Sequence, residues 1–254
     1  MKIPPLALAL SLCLVAALRA DEHKFTEPFA QSGAFAATGR VSLENVNGNV
    51  DIVAWDKNEI LIEGEKSAKT DEELKLIDLK IDLSDSRASI VMKLPKRPGG
   101  FFNGGNIRAA VRFKLTVPVT AVLEKINTVN SGIAIDGVRG AVNAETVNGG
   151  IHAKNLGSAA KLETVNGSIK ADFATLAAGQ KISAETVNGR IVIRVPKDAG
   201  LEFHAETVNG GIDCDFPVTL NGKKHRHELS GKIGDGRATL HAETVNGSIH
   251  LESL

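Results

Sequence analysis

From residue 121 onward, apolar and polar positions alternate with period two on both sides of a recurring corner. Before the corner the pattern runs apolar-x-Ala-x-Thr, as in Ile182-Ser183-Ala184-Glu185-Thr186 and Phe203-His204-Ala205-Glu206-Thr207. After it the pattern runs Ile-x-apolar, as in Ile169-Lys170-Ala171 and Ile191-Val192-Ile193. Period-two alternation puts one face of an extended chain in a core and the other in water, so each flank predicts a strand. Residues 33–120 carry the same alternation more weakly. Val41–Leu43 and Val50–Ile52 flank an early corner, and Glu59–Glu63, Ser89–Leu94 and Arg112–Val117 predict further strands. Thr70 followed by Asp71, Glu72 and Glu73 predicts an N-capped short helix near 70–76.

The corner is a sequence repeat. Ala144–Gly149 reads AETVNG, and the same hexamer recurs at Ala184–Gly189, Ala205–Gly210 and Ala242–Gly247. Leu162–Gly167 reads LETVNG, Ile126–Gly132 reads INTVNSG and Leu43–Gly48 reads LENVNG. The corner asparagines are Asn47, Asn130, Asn148, Asn166, Asn188, Asn209 and Asn246, and from Asn130 the steps are 18, 18, 22, 21 and 37 residues. The last step is about two turns long, so a degenerate coil is expected between Asn209 and Asn246. Asn-Gly supplies positive φ at low cost and is also a strong hairpin signal. A period near 20 is too long for a meander of hairpins, and an identical corner is what stacked coils require. The expected fold is therefore all-β: a single-domain β-solenoid (β-helix) with stacked Val-Asn-Gly corners about 4.8 Å apart and at most a short helix in the N-terminal half. Stacked asparagines would bond to one another as in cross-β ladders. The last coil, ending at Leu254, carries no evident cap, which predicts end-to-end self-association.

The first twenty residues break the pattern. Lys2 precedes a nearly continuous apolar run from Ile3 to Leu18, and Ala16, Ala17 and Ala20 offer small residues for cleavage. This has the form of a secretory signal, cut after Ala20 or Ala17. The expected organisation is a signal peptide over 1–20, a lead-in over 21–34, a β-rich half over 35–120 and the repeat solenoid over 121–254, continuous with it. An exported chain has its final place in the periplasm, at the cell surface or in the medium, with no membrane span after cleavage. Removal of residues 1–20 leaves Cys214 as the sole cysteine, so no internal disulfide can form.

Composition narrows the function. Thirty basic and thirty acidic residues cancel, which leaves no electrostatic footprint for nucleic acid. One Trp, no Tyr and nine Phe supply little of the aromatic surface that sugar-processing grooves use. No nucleophile elbow, phosphate loop, HExxH or CxxC is present, so no catalytic or cofactor-binding residue is assigned. Three features invite a role. The corner glutamates Glu145, Glu163, Glu185, Glu206 and Glu243 are expected to form an outer acidic stripe, solvated and paired with basic residues; weak calcium binding is the sharper reading. Phe101 and Phe102, in the glycine-rich stretch 98–105, are a candidate contact loop. His225 and His227 stand in a basic loop with Lys223, Lys224 and Arg226, where clustered cations disfavour a metal. His204 and His241 each precede a corner glutamate by two residues, which predicts charge pairing on one strand face.

The early VNG corner followed by Trp55-Asp56, the Val117-Pro118 pair and the serial TVNGxI coils together resemble the bacterial putative-adhesin family of unknown function, the toastrack-type β-solenoid repeat domain, over residues 35–254. That resemblance implies an envelope-facing β-solenoid with no established enzymatic chemistry. The expected function is a non-enzymatic structural or binding module that contacts an envelope protein or glycan. A polysaccharide-acting β-helix enzyme and a self-assembling envelope scaffold are the alternatives.

Overall fold

A computed structural model describes residues 25–95, 108–220 and 227–254. The chain begins with β1 (Phe25–Ala34), β2 (Arg40–Glu44), β3 (Val50–Trp55) and β4 (Glu59–Ala68). Helix α1 (Asp71–Lys75) follows, then β5 (Asp78–Leu83), β6 (Arg87–Lys93) and β7 (Ala109–Pro118). The helix starts where the sequence places its cap: Thr70 Oγ1 accepts a hydrogen bond from the Glu73 N–H at 3.1 Å. The repeats then supply β8 (Val122–Thr128), β9 (Ile133–Asp136), β10 (Val142–Asn148), β11 (Ile151–Leu156), β12 (Ala160–Asn166), β13 (Ile169–Phe173), β14 (Lys181–Asn188) and β15 (Ile191–Val195). The chain ends with β16 (Leu201–Asn209), β17 (Ile212–Cys214), β18 (Thr219–Leu220), β19 (Glu228–Ile233), β20 (Ala238–Asn246) and β21 (Ile249–Ser253).

These strands form two open sheets, and each repeat coil contributes one strand to each. The order is β1-β4-β7-β3-β9-β11-β13-β15-β21-β17 in the first sheet and β18-β19-β16-β20-β14-β12-β10-β8-β2-β6-β5 in the second. The repeat strands pair in parallel and in register, corner on corner: Glu145 with Glu163, Thr146 with Thr164 and Asn148 with Asn166, and so along the stack. The alternation read from the sequence decides which side of each strand faces in. Ala144, Leu162, Ala184, Ala242 and Ala205 are buried from the second sheet, and Ile133, Ile151, Ile169, Ile191, Ile249 and Ile212 are buried from the first. The isoleucines lie in one in-register file, and burying each one contributes roughly 1.5–3 kcal/mol.

The corner threonines also face inward. All but Thr128 donate the hydroxyl hydrogen to a carbonyl of the adjacent coil: Thr146 to Ser131, Thr164 to Gly149, Thr186 to Gly167, Thr244 to Gly189 and Thr207 to Gly247, at 2.8–3.0 Å. A buried hydroxyl needs such a partner, and at these five corners the stacking supplies one. The asparagines form the expected ladder outside. Asn130 donates to Asn47, Asn148 to Asn130, Asn166 to Asn148, Asn188 to Asn166, Asn246 to Asn188 and Asn209 to Asn246, all at 2.8–3.0 Å.

Three expectations need correction. First, the corner glycines are not there for positive φ. Among the corners, Gly48 alone adopts it (φ 106°). At Gly149, Gly167, Gly189, Gly210 and Gly247 a Cβ would instead lie 1.8–2.1 Å from a carbonyl oxygen of the neighbouring corner. Close stacking of backbones, not handedness, demands glycine there.

Second, no degenerate coil lies between Asn209 and Asn246. After β17 the chain forms β18 and β19, antiparallel to each other, and β19 runs antiparallel to β16. It turns through Gly234 (φ 57°) and Gly236 (φ 67°), and β20–β21 then inserts between β14–β15 and β16–β17. The final repeat is next to last in space.

Third, Leu254 therefore does not end the stack. Antiparallel β19 and then β18 extend the second sheet beyond β16, whereas β17 is the edge strand of the first sheet there; antiparallel β4 and β1 in the first sheet and β5 in the second lie at the opposite end. The coil that ends the stack in space is β16–β17, not the one that ends at Leu254. Strands β1, within the expected lead-in, and β5 were not read from the sequence. Both are antiparallel end strands, outside the corner repeat.

Candidate functional site

The outer face of the second sheet is where the repeat presents its chemistry. Alternation leaves the residues between the buried alanine and threonine, and between threonine and asparagine, pointing outward. In-register stacking turns those positions into files that run along the solenoid. The glutamate file reads Glu44, Asn127, Glu145, Glu163, Glu185, Glu243, Glu206 and Glu228 in spatial order. All five glutamates expected in the acidic stripe are in it, and Glu44 and Glu228 extend it. These two escaped the sequence reading because Glu44 sits in the variant LENVNG corner and Glu228 lies on an antiparallel strand outside the repeat.

Carboxylates stacked at strand spacing repel one another unless partnered. The partners come mostly from the same face, two residues earlier on the same strand or one strand over. Lys125 Nζ lies 2.5 Å from Glu44, and Lys161 Nζ lies 3.0 Å from Glu163. Ser183 donates to Glu185 at 2.8 Å, and Asn127 to Glu145 at 3.4 Å. Both lysine ammonium groups are held above their ordinary pKa, chiefly by the hydrogen bond to the paired glutamate and then by its charge. Glu145 and Glu185 add to the effect at Lys161. Of the five expected glutamates, Glu163 has a lysine partner, and Glu185 and Glu145 accept hydrogen bonds from Ser183 and Asn127. His241 and His204 complete the flanking file, with Nε2 at 3.6 and 3.7 Å from Glu243 and Glu206, as their spacing in the sequence predicts.

On the other flank of the glutamates runs a file of valines: Val129, Val147, Val165, Val187 and Val208 are 37–58 % exposed, and Val245 is half-buried. A shallow groove lies between the two files, lined by Glu145, Glu163, Val165, Glu185, Val187 and Val245 among others. Contiguous apolar surface rimmed by polar groups is the usual mark of a contact site. Beyond the flanking file lies a larger groove of about 620 Å³, floored by Ala141, Ala159 and the starts of β12, β14 and β20, with Lys161, Lys181 and His241 at its rim. The first sheet's outer face is different. Asp136 pairs in register with Lys154, and Asp172, Arg194 and Glu252 alternate in sign, with Arg194 2.8 Å from Glu252. That face largely neutralises itself.

Phe101, Phe102, Lys223, Lys224, His225 and Arg226, together with the expected signal peptide, lie outside the described residues. His227 is described and exposed. Cys214 is half-buried against the core, its Sγ 3.9 Å from the Phe216 carbonyl oxygen. Among the described residues, no group of three or more His, Cys, Asp or Glu side chains is placed to hold a metal ion. No helix of the described residues is long and apolar enough to cross a membrane.

Comparison with known proteins places this architecture. The family model described as Toastrack DUF4097 matches residues 18–252. Among solved structures, the chain is similar to a putative cell adhesion protein from Clostridium sporogenes, at 16 % identity and a TM-score of 0.51, over 90 % of this chain and 100 % of that one. It is more distantly similar to a putative adhesin from Bacteroides fragilis, at 11 % identity and a TM-score of 0.39, over 89 % of this chain and 97 % of that one. At these identities the likeness speaks to the fold alone. A search of curated proteins finds no match.

Proposed function

The chain belongs to the Toastrack DUF4097 family, and from that premise we propose that it is a non-enzymatic, adhesin-like binding scaffold exported to the cell envelope. The outer face of its second sheet would be the contact surface. The observation that carries this reading is the in-register repetition of exposed Glu and Val on that face. A solenoid repeats one small contact at each coil, so a modest gain per coil adds up along a partner that also repeats, such as a glycan chain or an extended protein segment. The apolar amino-terminal run Ile3–Leu18 supports export, and the names of the two structural relatives accord with a surface role.

The test is retention of the chain lacking residues 1–20 on isolated envelope glycan and envelope protein fractions, with and without calcium. The comparison is V165K/V187K, which changes two exposed groove residues and leaves the core untouched. The reading expects wild type to be retained by one fraction and the variant to be retained at least severalfold less. Folded wild type that neither fraction retains, or a variant retained equally well, would overturn it. Retention that requires calcium would assign the glutamate file a cation.

A further inference from the structure

Six corner steps read Asn-Gly, and two of them stand in identical sequence: Ala144–Ile151 and Ala205–Ile212 both read AETVNGGI. The solenoid treats the two differently. At the first, the Gly149 N–H donates to the Asn166 carbonyl of the next coil at 3.0 Å. Gly167, Gly189 and Gly247 donate in the same way to Asn188, Asn246 and Asn209 at 3.0–3.1 Å, and Gly48 donates to Ser131 Oγ at 2.6 Å. Gly210 belongs to the coil that ends the stack. Among the described residues no further coil follows it, and its N–H has no hydrogen-bond partner. Antiparallel β19 pairs with β16 from Leu201 to Glu206, with one more bond from the Thr207 N–H to the His227 carbonyl, and stops short of the corner.

The asparagine side chains differ in the same sense. Asn148, Asn166, Asn188 and Asn246 each donate to one neighbour and accept from another. Asn209 donates to Asn246 at 2.9 Å and, among the described residues, accepts nothing. All five are exposed, so access to water does not tell them apart. What differs is the freedom of the two groups that react in an Asn-Gly step. Once hydroxide takes the glycine N–H proton, the backbone nitrogen can attack the side-chain amide carbon. The new C–N bond closes a five-membered succinimide, and the amide nitrogen leaves as ammonia, taking a proton from water. Water then adds to one ring carbonyl and reopens the ring as aspartate or isoaspartate. Glycine has no Cβ to shield its nitrogen. An N–H already donated to a carbonyl is held away from both base and side chain, and a ladder bond on each side holds the amide still.

We propose that Asn209 is the self-modification site of the corner ladder, converted to aspartate or isoaspartate by attack of the Gly210 nitrogen, while the interior corners are protected by their stacking. The product changes the end of the solenoid. A carboxylate at position 209 cannot donate to Asn246, so the last bond of the ladder goes with the amide. Isoaspartate does more. It routes the main chain through the side chain and turns the Asn209 backbone carbonyl, which accepts from the Gly247 N–H, into a free carboxylate. Both products loosen the terminal coil from its neighbour.

The experiment is incubation of the purified, folded chain in mildly alkaline buffer, with peptide mapping by mass spectrometry at successive times. Asn148 is the internal control, because it stands in the same octapeptide. The proposal expects Asn209 to convert at least about tenfold faster than Asn148, since a hydrogen bond that must open first slows a reaction by roughly a decade. In concentrated urea, where no coil stacks, the two should convert at similar rates. Asn103-Gly104 and Asn221-Gly222 lie outside the described residues, and their peptides are read separately. Equal rates at Asn209 and Asn148 in the folded chain, including no conversion at either, or a difference that persists in urea, would overturn the proposal.

Discussion

Replacing Gly167 with alanine tests what the corner glycines are for. A Cβ on Gly167 would sit 1.9 Å from the carbonyl oxygen of Gly149 and 2.4 Å from its carbon, where ordinary contact begins near 3.4 Å. The obstacle is backbone, so no side chain can rotate out of the way. The two corners must separate by about 1.5 Å, a third of the ~4.8 Å strand spacing. The displaced carbonyl is also the acceptor for Thr164 Oγ1 at 2.9 Å. Overpacking of this kind costs about 1–3 kcal/mol, and a weakened buried hydrogen bond adds about 1 kcal/mol. A total near 3 kcal/mol lowers the melting midpoint by roughly 6–12 °C in a chain of this size. Gly211 is the control. It follows Gly210 in the Asn209-Gly210-Gly211 step, lacks positive φ, and its Cβ would meet nothing within 4 Å, so G211A should stay within about 0.5 kcal/mol of wild type. G167N separates the two explanations, because a left-handed corner tolerates asparagine and a stacked one does not. The assay is thermal unfolding followed by far-ultraviolet circular dichroism. If G167A melts with G211A, or if G167N melts with wild type, the stacking argument is wrong.

The threonine file makes a paired prediction. T164V keeps the shape but leaves the Gly149 carbonyl without its hydroxyl donor, at a cost of about 1–3 kcal/mol. Thr128 is equally buried, yet among the described residues its Oγ1 has no partner, so T128V should be neutral or stabilising; urea midpoints compare the two, and equal losses would refute the difference. In the asparagine ladder, Asn166 both donates to Asn148 and accepts from Asn188, whereas Asn209 makes a single ladder bond at the end. N166A should therefore lose about 1–2 kcal/mol and N209A about half of that, measured in the same denaturant series. A larger loss at Asn209 would show that the ladder is not held by these bonds.

Much of the molecule was legible because its repeat is redundant. Period-two alternation around seven corners specifies strands, and it puts Ala, Thr and Ile inside and Glu and Val outside. Those assignments depend only on local geometry, so they survive whatever the coils do next. The short helix at Thr70 was legible for the same reason. The role of the corner glycine was not, because a dipeptide that suits a left-handed turn also suits a tight approach of two backbones, and the neighbouring backbone is absent from a sequence.

The order of the coils was decided by tertiary structure. Four identical AETVNG hexamers offer the same register to one another, so the hexamers themselves prefer no neighbour over the next. What places β20 between β14 and β16 is the route of the connections. The link from Val195 to Leu201 steps across an open slot, β19 anchors antiparallel on the far side of β16, and the Gly234–Gly236 turn returns the chain into the gap. The sequence alone thus determined the strands, their inward and outward faces and the stacked corner. The capping strands, the spatial order of the asparagines and the meeting of His204 with His241 belong to the tertiary structure, because interchangeable repeats leave coil order to the geometry of the loops that join them.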